Sequence, residues 1–322
     1  MAVFTLISEA DAQAFLKNYD LGAFKSLTGI AAGIENTNYF LETSKGSFVL
    51  TIFEVLKAHE LPFYIELMHH LASRGMPVPQ PQTQHSGKRL ASLHNKPTAI
   101  VSKLSGNWVP APTPEHCKLA AQTLAQCHLA GVDTPIKQAN LRGSAWRQAT
   151  APKVMPFLNA SQQKLMLDAL KEDLLICQSS QWQALPSGPA HCDLFRDNVL
   201  FDSSGSILKM GGFIDFYFAG VEAFIFDIAV AINDWCIDRS TGVLNQDLVN
   251  TWLRAYSEVR SFTPEEKNLW PATLRIAALR FWVSRLYDFH MPRAAETLKP
   301  HDPTHFERIL ACRFDFEPTL LN

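Results

Sequence analysis

The apolar pattern of this chain changes character once, near Lys103 to Gly106. Before that point, branched and aromatic residues cluster in short runs punctuated by glycine. Tyr39-Phe40-Leu41-Glu42-Thr43, then Ser44-Lys45-Gly46-Ser47, then Phe48 to Phe53 reads as strand, turn, strand. Leu27 to Gly33 reads as a strand entering a glycine-bearing turn, and strand-like runs surround Leu90 to Leu93 and Thr98 to Val101. Ser8-Glu9-Ala10-Asp11 has the form of a capping box, opening a helix to about Tyr19. A longer helix is expected from about Ala58 to Ser73, with Leu61, Ile65, Met68 and Leu71 on one face and Gly75 placed to end it. Pro77, Pro79 and Pro81 forbid its continuation.

Past a proline-rich loop at Gly106 to Pro114, the spacing becomes helical. Helices are expected over Glu115–Ala130, Ser161–Gln178, Ala223–Cys236, Gln246–Val259 and Glu265–Phe289. The last opens with Thr263-Pro264-Glu265-Glu266, a capping box with proline at the first helical position. One hairpin interrupts them, Asn198 to Asp202 and Ile207 to Phe216. The expectation is therefore an α+β, bilobal chain: a small antiparallel-sheet lobe over 1–105 and a mainly helical lobe over 106–322 with an inserted hairpin. A cleft between two such lobes is a usual place for a ligand.

Composition excludes several classes. With 47% hydrophobic and 19% charged residues the chain can bury a substantial core, and a formal net charge of -2 leaves no basic excess for a nucleic-acid partner. The N-terminus does not read as a signal peptide. The longest apolar region, Ala219 to Ile232, is broken by Glu222 and Asp227 and is too short to span a bilayer. Six cysteines without zinc or redox spacing fit reduced thiols in a cytoplasmic protein. His69 and His70 lack further ligands at metal spacing.

The chemistry concentrates in His191-Cys192-Asp193-Leu194-Phe195-Arg196-Asp197-Asn198. An aspartate five positions before an asparagine matches the catalytic loop of phosphoryl-transfer enzymes. A carboxylate at Asp193 can orient an acceptor hydroxyl and take its proton, and an amide oxygen at Asn198 can bind Mg²⁺ without adding charge. Phe213-Ile214-Asp215-Phe216-Tyr217 would deliver a second carboxylate, Asp215, to the same end of the hairpin. His191 is expected to hold the loop. Asp197 fits local structure or function equally, and Arg196 a phosphate-side charge or a solvated residue. Tyr217 fits a substrate contact or strand-end packing. Asp227 is placed to brace the loop, while Trp235, Phe281, Trp282 and Tyr287 fit a core.

HCDLFRDNVLF followed by GFIDFYFAG resembles the aminoglycoside phosphotransferase and choline kinase group of kinase-like folds. GIENTNYFLET, SFVLTIFE, ELPFYIELMHHLASRGMPVPQP and FDIAVAINDW resemble its homoserine-phosphorylating bacterial subgroup, so the likeness spans residues 25–290. The resemblance implies a kinase-like architecture, ATP and Mg²⁺, and L-homoserine as acceptor on the way to threonine. It implies Asp193 as base, Asn198 and Asp215 as metal ligands, a phosphate-covering turn at Gly33 to Asn38 (with Asn36 and Thr37), and an adenine-side hinge at Ser102 to Leu104. Thr51 stands where many relatives carry a phosphate-binding lysine. Lys57 or the backbone around Glu35 to Asn38 would have to replace it. Glu60 and Glu66 compete for the glutamate of the following helix, and Cys192 stands where the wider group often has glycine.

The ammonium and carboxylate of such an acceptor need charged partners. Arg196, Tyr217 and Asp234 are the candidates carried here, with Arg275, Arg280 and Arg285 also available. The competing readings are transfer to an aminoglycoside, choline or a sugar, or a kinase-like module without activity. A dense acidic run suited to a polycationic aminoglycoside is missing from the sequence, as is an activation segment ending like Ala-Pro-Glu.

Overall fold

The computed structural model describes residues 5–30, 36–292 and 301–315. The chain forms two compact units, Met1–Gly106 with Gly211–Ile214, and Asn107–Met210 with Asp215–Asn322.

In the first unit, Ser8 Oγ accepts the Asp11 N–H at 3.1 Å and the Asp11 carboxylate accepts the Ser8 N–H at 2.9 Å. This closed capping box starts α1 (Glu9–Leu16), which stops short of Tyr19. β1 (Phe24–Gly29), β2 (Asn36–Thr43) and β3 (Gly46–Phe53) follow, then α2 (Pro62–Ser73), β4 (Ala91–Leu93) and β5 (Lys96–Ser102). The strands pair antiparallel in the order β1-β2-β3-β5-β4. Period-2 alternation turns Tyr39, Leu41, Phe48, Leu50 and Ile52 to one face, where they pack with Phe15, Leu16, Tyr19 and Ile100 as the core. His94 and Asn95, at φ 52° and 62°, make the tight turn between β4 and β5.

Two expectations are corrected here. Asn36, Thr37 and Asn38 belong to β2, opposite Phe53, Ile52 and Thr51, and not to a turn. Their polar side chains are satisfied along the sheet: Thr51 Oγ1 donates to Asn38 Oδ1 at 2.7 Å, and Thr37 Oγ1 to Glu54 Oε1 at 2.6 Å. Also, α2 begins at Pro62, so Glu60 lies outside the helix, accepting the Lys57 N–H at 2.8 Å. Gly75, at φ 78°, follows the end of α2 as expected.

The second unit contains α3 (Pro114–Gly131), α4 (Ser144–Val154), α5 (Ala160–Cys177), α6 (Ser180–Gln183), β6 (Ser187–Ala190), β7 (Val199–Asp202), the start of β8 (Lys209–Phe213), β9 (Gly220–Ala223), α7 (Phe224–Trp235), α8 (Gln246–Ser257), α9 (Pro264–His290) and α10 (Thr304–Asp315). The five expected helices are α3, α5, α7, α8 and α9. Every residue of α7 is buried, as befits a helix apolar nearly all round. It packs on α9, which also carries α10. β6 pairs antiparallel with β9, and β7 with β8. β8 is shorter than the strand expected to reach Phe216, because Phe216 already lies in a single 3₁₀ turn with Tyr217 and Phe218. Among the described residues no helix is long and apolar enough to cross a membrane.

Candidate active site

The loop from His191 to Asn198 leaves β6 and ends in a 3₁₀ turn, Arg196–Asn198, that enters β7. Phe195 N–H donates to the Asp193 carbonyl at 2.8 Å, and Asn198 Nδ2 donates to the same carbonyl at 2.8 Å. Asn198 Nδ2 also lies 3.4 Å from Asp193 Oδ2. The amide nitrogen is thereby committed to Asp193, which leaves Asn198 Oδ1 as an oxygen donor for a cation. Asp215 is exposed and held at φ 62°, ψ 62°, at the start of the turn after β8.

Asp193 keeps partial access to solvent, yet the protein packed round it pushes its carboxyl up to about 7. Burial is the main cause. Arg280 and Arg285 pull the other way, and the Asp215 and Asp197 carboxylates add to the rise. Asp193, Asn198 and Asp215 thus share one electrostatic neighbourhood, as the sequence spacing predicts. Their oxygens suit a hard cation that takes its remaining ligands from phosphate and water. Among the described residues no cluster of three or more His, Cys, Asp or Glu closes a metal site by itself.

Helix α7 holds this loop from one side. Asp227 accepts the His191 N–H at 2.8 Å and the Cys192 N–H at 2.7 Å. Trp235 Nε1 donates to the Leu194 carbonyl at 3.0 Å. Arg196 donates from N and Nε to Asp234 Oδ2 at 2.8 and 3.0 Å, from Nη2 to the Asp234 carbonyl, and from Nη1 to the Pro110 carbonyl at 2.7 Å. His128 completes the support, its Nε2 3.0 Å from Asp227 Oδ2 and its Nδ1 2.7 Å from the Tyr256 hydroxyl. Burial alone would raise the Asp227 carboxyl, but the bonds from His128 and the His191 amide hold it below its ordinary value. Asp227 therefore braces the loop as expected. Arg196 and Asp234 bond to one another, and both also face a cavity on this side of the unit.

The sequence left the other arginines unsorted, and the structure separates them. Arg275 is bidentate to Glu172, from Nε and Nη2 at 2.7 Å each. Arg285 is partly exposed beside a cavity of about 400 Å³ that Asp197 and Arg308 also line. Arg280, 3% exposed, lies 3.8 Å over the Phe281 ring and 5.2 Å from the Phe218 ring. Its Nε and Nη2 have no hydrogen-bond partner in the protein. Arg280 lies on the same helix as Arg275 and carries no signal in sequence that tells the two apart.

In the first unit, Gly33 lies outside the described residues. Asn38 and Thr51 bond to each other, so Thr51 does not present its hydroxyl as a lysine would present a charge. Ser102 donates its N–H to the Gln80 carbonyl, and its Oγ accepts the Gln80 N–H, both at 2.9 Å. The first position beyond β5 and the Lys103–Ser47 bond is Leu104. Glu66 is paired with Arg89, from Nη1 at 3.0 and 2.9 Å. Lys57 is exposed.

A family model described as the phosphotransferase enzyme family matches residues 26–264. The chain belongs to the phosphotransferase enzyme family. Within it, this phosphotransferase is 51% identical to a homoserine kinase of Burkholderia multivorans (strain ATCC 17616 / 249), over 99% of this chain and 98% of that one. It is also 51% identical to a homoserine kinase of Burkholderia mallei (strain SAVP1), over 96% and 95%. Among solved structures, an amicoumacin kinase in complex with AMP-PNP, Ca²⁺ and Ami superposes with a TM-score of 0.68 at 14% identity, covering 96% of this chain and 93% of its own. A choline kinase from Cryptosporidium parvum Iowa II gives 0.60 at 13%, covering 96% and 94%. At such identities the likeness is one of fold, and it bears out the kinase-like architecture expected of the phosphotransferase.

Proposed function

We propose that the protein is an ATP- and Mg²⁺-dependent homoserine kinase, acting in the cytoplasm, with Asp193 as the base. The observation that carries this reading is the Asp193–Asn198 loop with Asp215 in its field, in a chain half identical to homoserine kinases along its whole length. Arg280 and Arg285 near Asp193 are cations that an anionic group on the acceptor could meet.

Asp193 would accept a hydrogen bond from the acceptor hydroxyl and aim its oxygen at the γ-phosphorus. As the new oxygen–phosphorus bond forms and the bond to the bridging β–γ oxygen breaks, the hydroxyl proton passes to Asp193 and ADP departs. Asn198 Oδ1 and Asp215 would hold the divalent ion, whose charge offsets that of the phosphate oxygens. Asn198 Nδ2 meanwhile fixes the Asp193 backbone. The sheet of the first unit would carry the nucleotide, with Asn36 to Asn38 and Thr51 lining it through the strand backbone and Ser102 to Leu104 as the adenine-side segment.

The test is ADP release by the purified enzyme across a panel of acceptors. L-homoserine alone should stimulate it, with O-phosphohomoserine as product. Stimulation by choline or kanamycin and none by homoserine would overturn the reading.

A further inference from the structure

Arginine's Nε and Nη2 point to the same side of the guanidinium and form a fork that matches the two oxygens of a carboxylate. Three buried or nearly buried arginines of the second unit have that fork filled by an acidic residue. Arg275 uses it on Glu172, Arg147 on Asp173 with Nε at 3.0 Å, and Arg196 on Asp234. Among the buried arginine side chains described, Arg280 alone leaves both atoms unpaired. A buried charged donor without a partner is costly, at about 1–3 kcal/mol or more. Such a group is kept where a ligand supplies the partner.

The surroundings say which ligand. Among positive groups, Arg280 has the largest electrostatic effect on Asp193. Phe218, one side of its cage, sits in the turn that begins at Asp215. Arg142 approaches the same Phe218 ring at 6.0 Å and adds a second guanidinium to the neighbourhood. Rings lie at 3.8 and 5.2 Å from the guanidinium, and both unpaired nitrogens are shut off from solvent.

We propose that the guanidinium of Arg280 takes the carboxylate of the amino-acid acceptor and so selects amino acids over simple alcohols. The assignment rests on the acceptor being homoserine. It makes Arg280, and not Arg196 or Asp234, the residue that sets specificity.

The test compares L-homoserine with 3-amino-1-propanol, which keeps the hydroxyl and amine at the same separation and lacks the carboxylate, in wild type, Arg280→Gln and Arg280→Lys. Arg280→Gln should raise the homoserine KM about 100-fold, the scale of a lost charge-assisted fork. It should leave the ATP KM and the kcat/KM for 3-amino-1-propanol within a few-fold. Arg280→Lys, which keeps charge and loses the fork, should fall between. An equal loss with both acceptors, or a loss carried by the ATP KM, would overturn the assignment in favour of a phosphate contact. Wild type should itself prefer homoserine by about 100-fold. That comparison, with Arg280→Lys, decides the matter even if Arg280→Gln does not fold. A wild type inactive on homoserine but active on another alcohol would refute the homoserine reading itself, a result distinct from an Arg280 variant that loses both acceptors alike.

Discussion

Asp227 Oδ1 accepts the amide of Cys192 at 2.7 Å, and it does so where Cys192 is turned to φ 60°. A left-handed non-glycine residue carries roughly 1–2 kcal/mol of strain, so the turn that aims Asp193 persists because Asp227 and the packing round it hold it. Asp227→Ala should lose about 3 kcal/mol or more of stability and most activity, since it strands two buried amides and His128. Chemical denaturation and steady-state kinetics check this. Cys192→Gly should remain within about 1 kcal/mol of wild type and stay active, because glycine adopts that φ without strain. Cys192→Val should be the damaging change. A fully stable Cys192→Val would show that the backbone there relaxes.

Asp193 should trade stability for function. Its folded carboxyl stands at about 7 against an ordinary 3.8. The folded state therefore binds the proton more tightly, and the residue's contribution to stability falls as pH rises from about 4 to 7. Above that range the full penalty of the buried charge is present. Asp193→Asn removes it, so the ligand-free protein in chelator should gain on the order of 1–2 kcal/mol at pH 8, after allowance for solvent screening, and nothing at pH 4. Turnover should fall about 100- to 10,000-fold. Melting curves for both proteins across that pH range test the sign: a variant less stable than wild type at pH 8 contradicts it.

The proposed metal ligands, Asn198 and Asp215, can be separated from the proposed base by titration. Asn198→Ala should raise the Mg²⁺ concentration for half-maximal rate about tenfold, and Asp215→Asn should raise it further with a larger loss of kcat, because a carboxylate binds Mg²⁺ more strongly than an amide. If Asp215→Asn leaves the metal requirement unchanged, Asp215 is not a ligand.

The parts legible in the sequence are those where local chemistry and final structure agree. Ser8–Asp11 and Thr263–Glu266 form the capping boxes their spacing announces, and the β2–β3 hairpin follows its alternation. What escaped depends on distant partners. The segment Asn36-Thr37-Asn38 looks like a turn in isolation, and it becomes strand because Thr51 and Glu54 satisfy its side chains. β6 is Ser-Gly-Pro-Ala, with no strand propensity, and exists through its pairing with β9; a Cβ at Gly188 would meet Phe224 at 2.8 Å. α4 carries Pro152 and little apolar signal, and is anchored by the buried Arg147–Asp173 pair. Within the site, the Asp193 to Asn198 spacing could be read directly. The division of labour among Arg196, Arg275 and Arg280 could not, since it rests on which carboxylate each one meets.

Thr51 should prove dispensable for phosphate binding. Its hydroxyl is given to Asn38, so Thr51→Val removes one hydrogen bond and leaves Asn38 Oδ1 less satisfied, at a cost of about 1–2 kcal/mol. The ATP KM should move less than about threefold. A tenfold rise with unchanged stability would mean that Thr51 touches the nucleotide after all.

Arg196 and Asp234 offer the last test, because a structural pair and a substrate pair respond differently. Arg196 ties the loop to α7 through Asp234 and to the Pro110 carbonyl. Removing one partner leaves the other buried and uncompensated, so Asp234→Asn and Arg196→Met should each cost about 2–4 kcal/mol. The double variant Arg196→Met/Asp234→Leu should recover part of that loss, since a buried ion pair replaced whole is often nearly neutral. In the single variants kcat should fall as the loop loosens, while the homoserine KM changes little. That pattern is opposite to the one expected at Arg280, where KM carries the effect, and measuring both parameters on the same preparations separates loop support from substrate recognition.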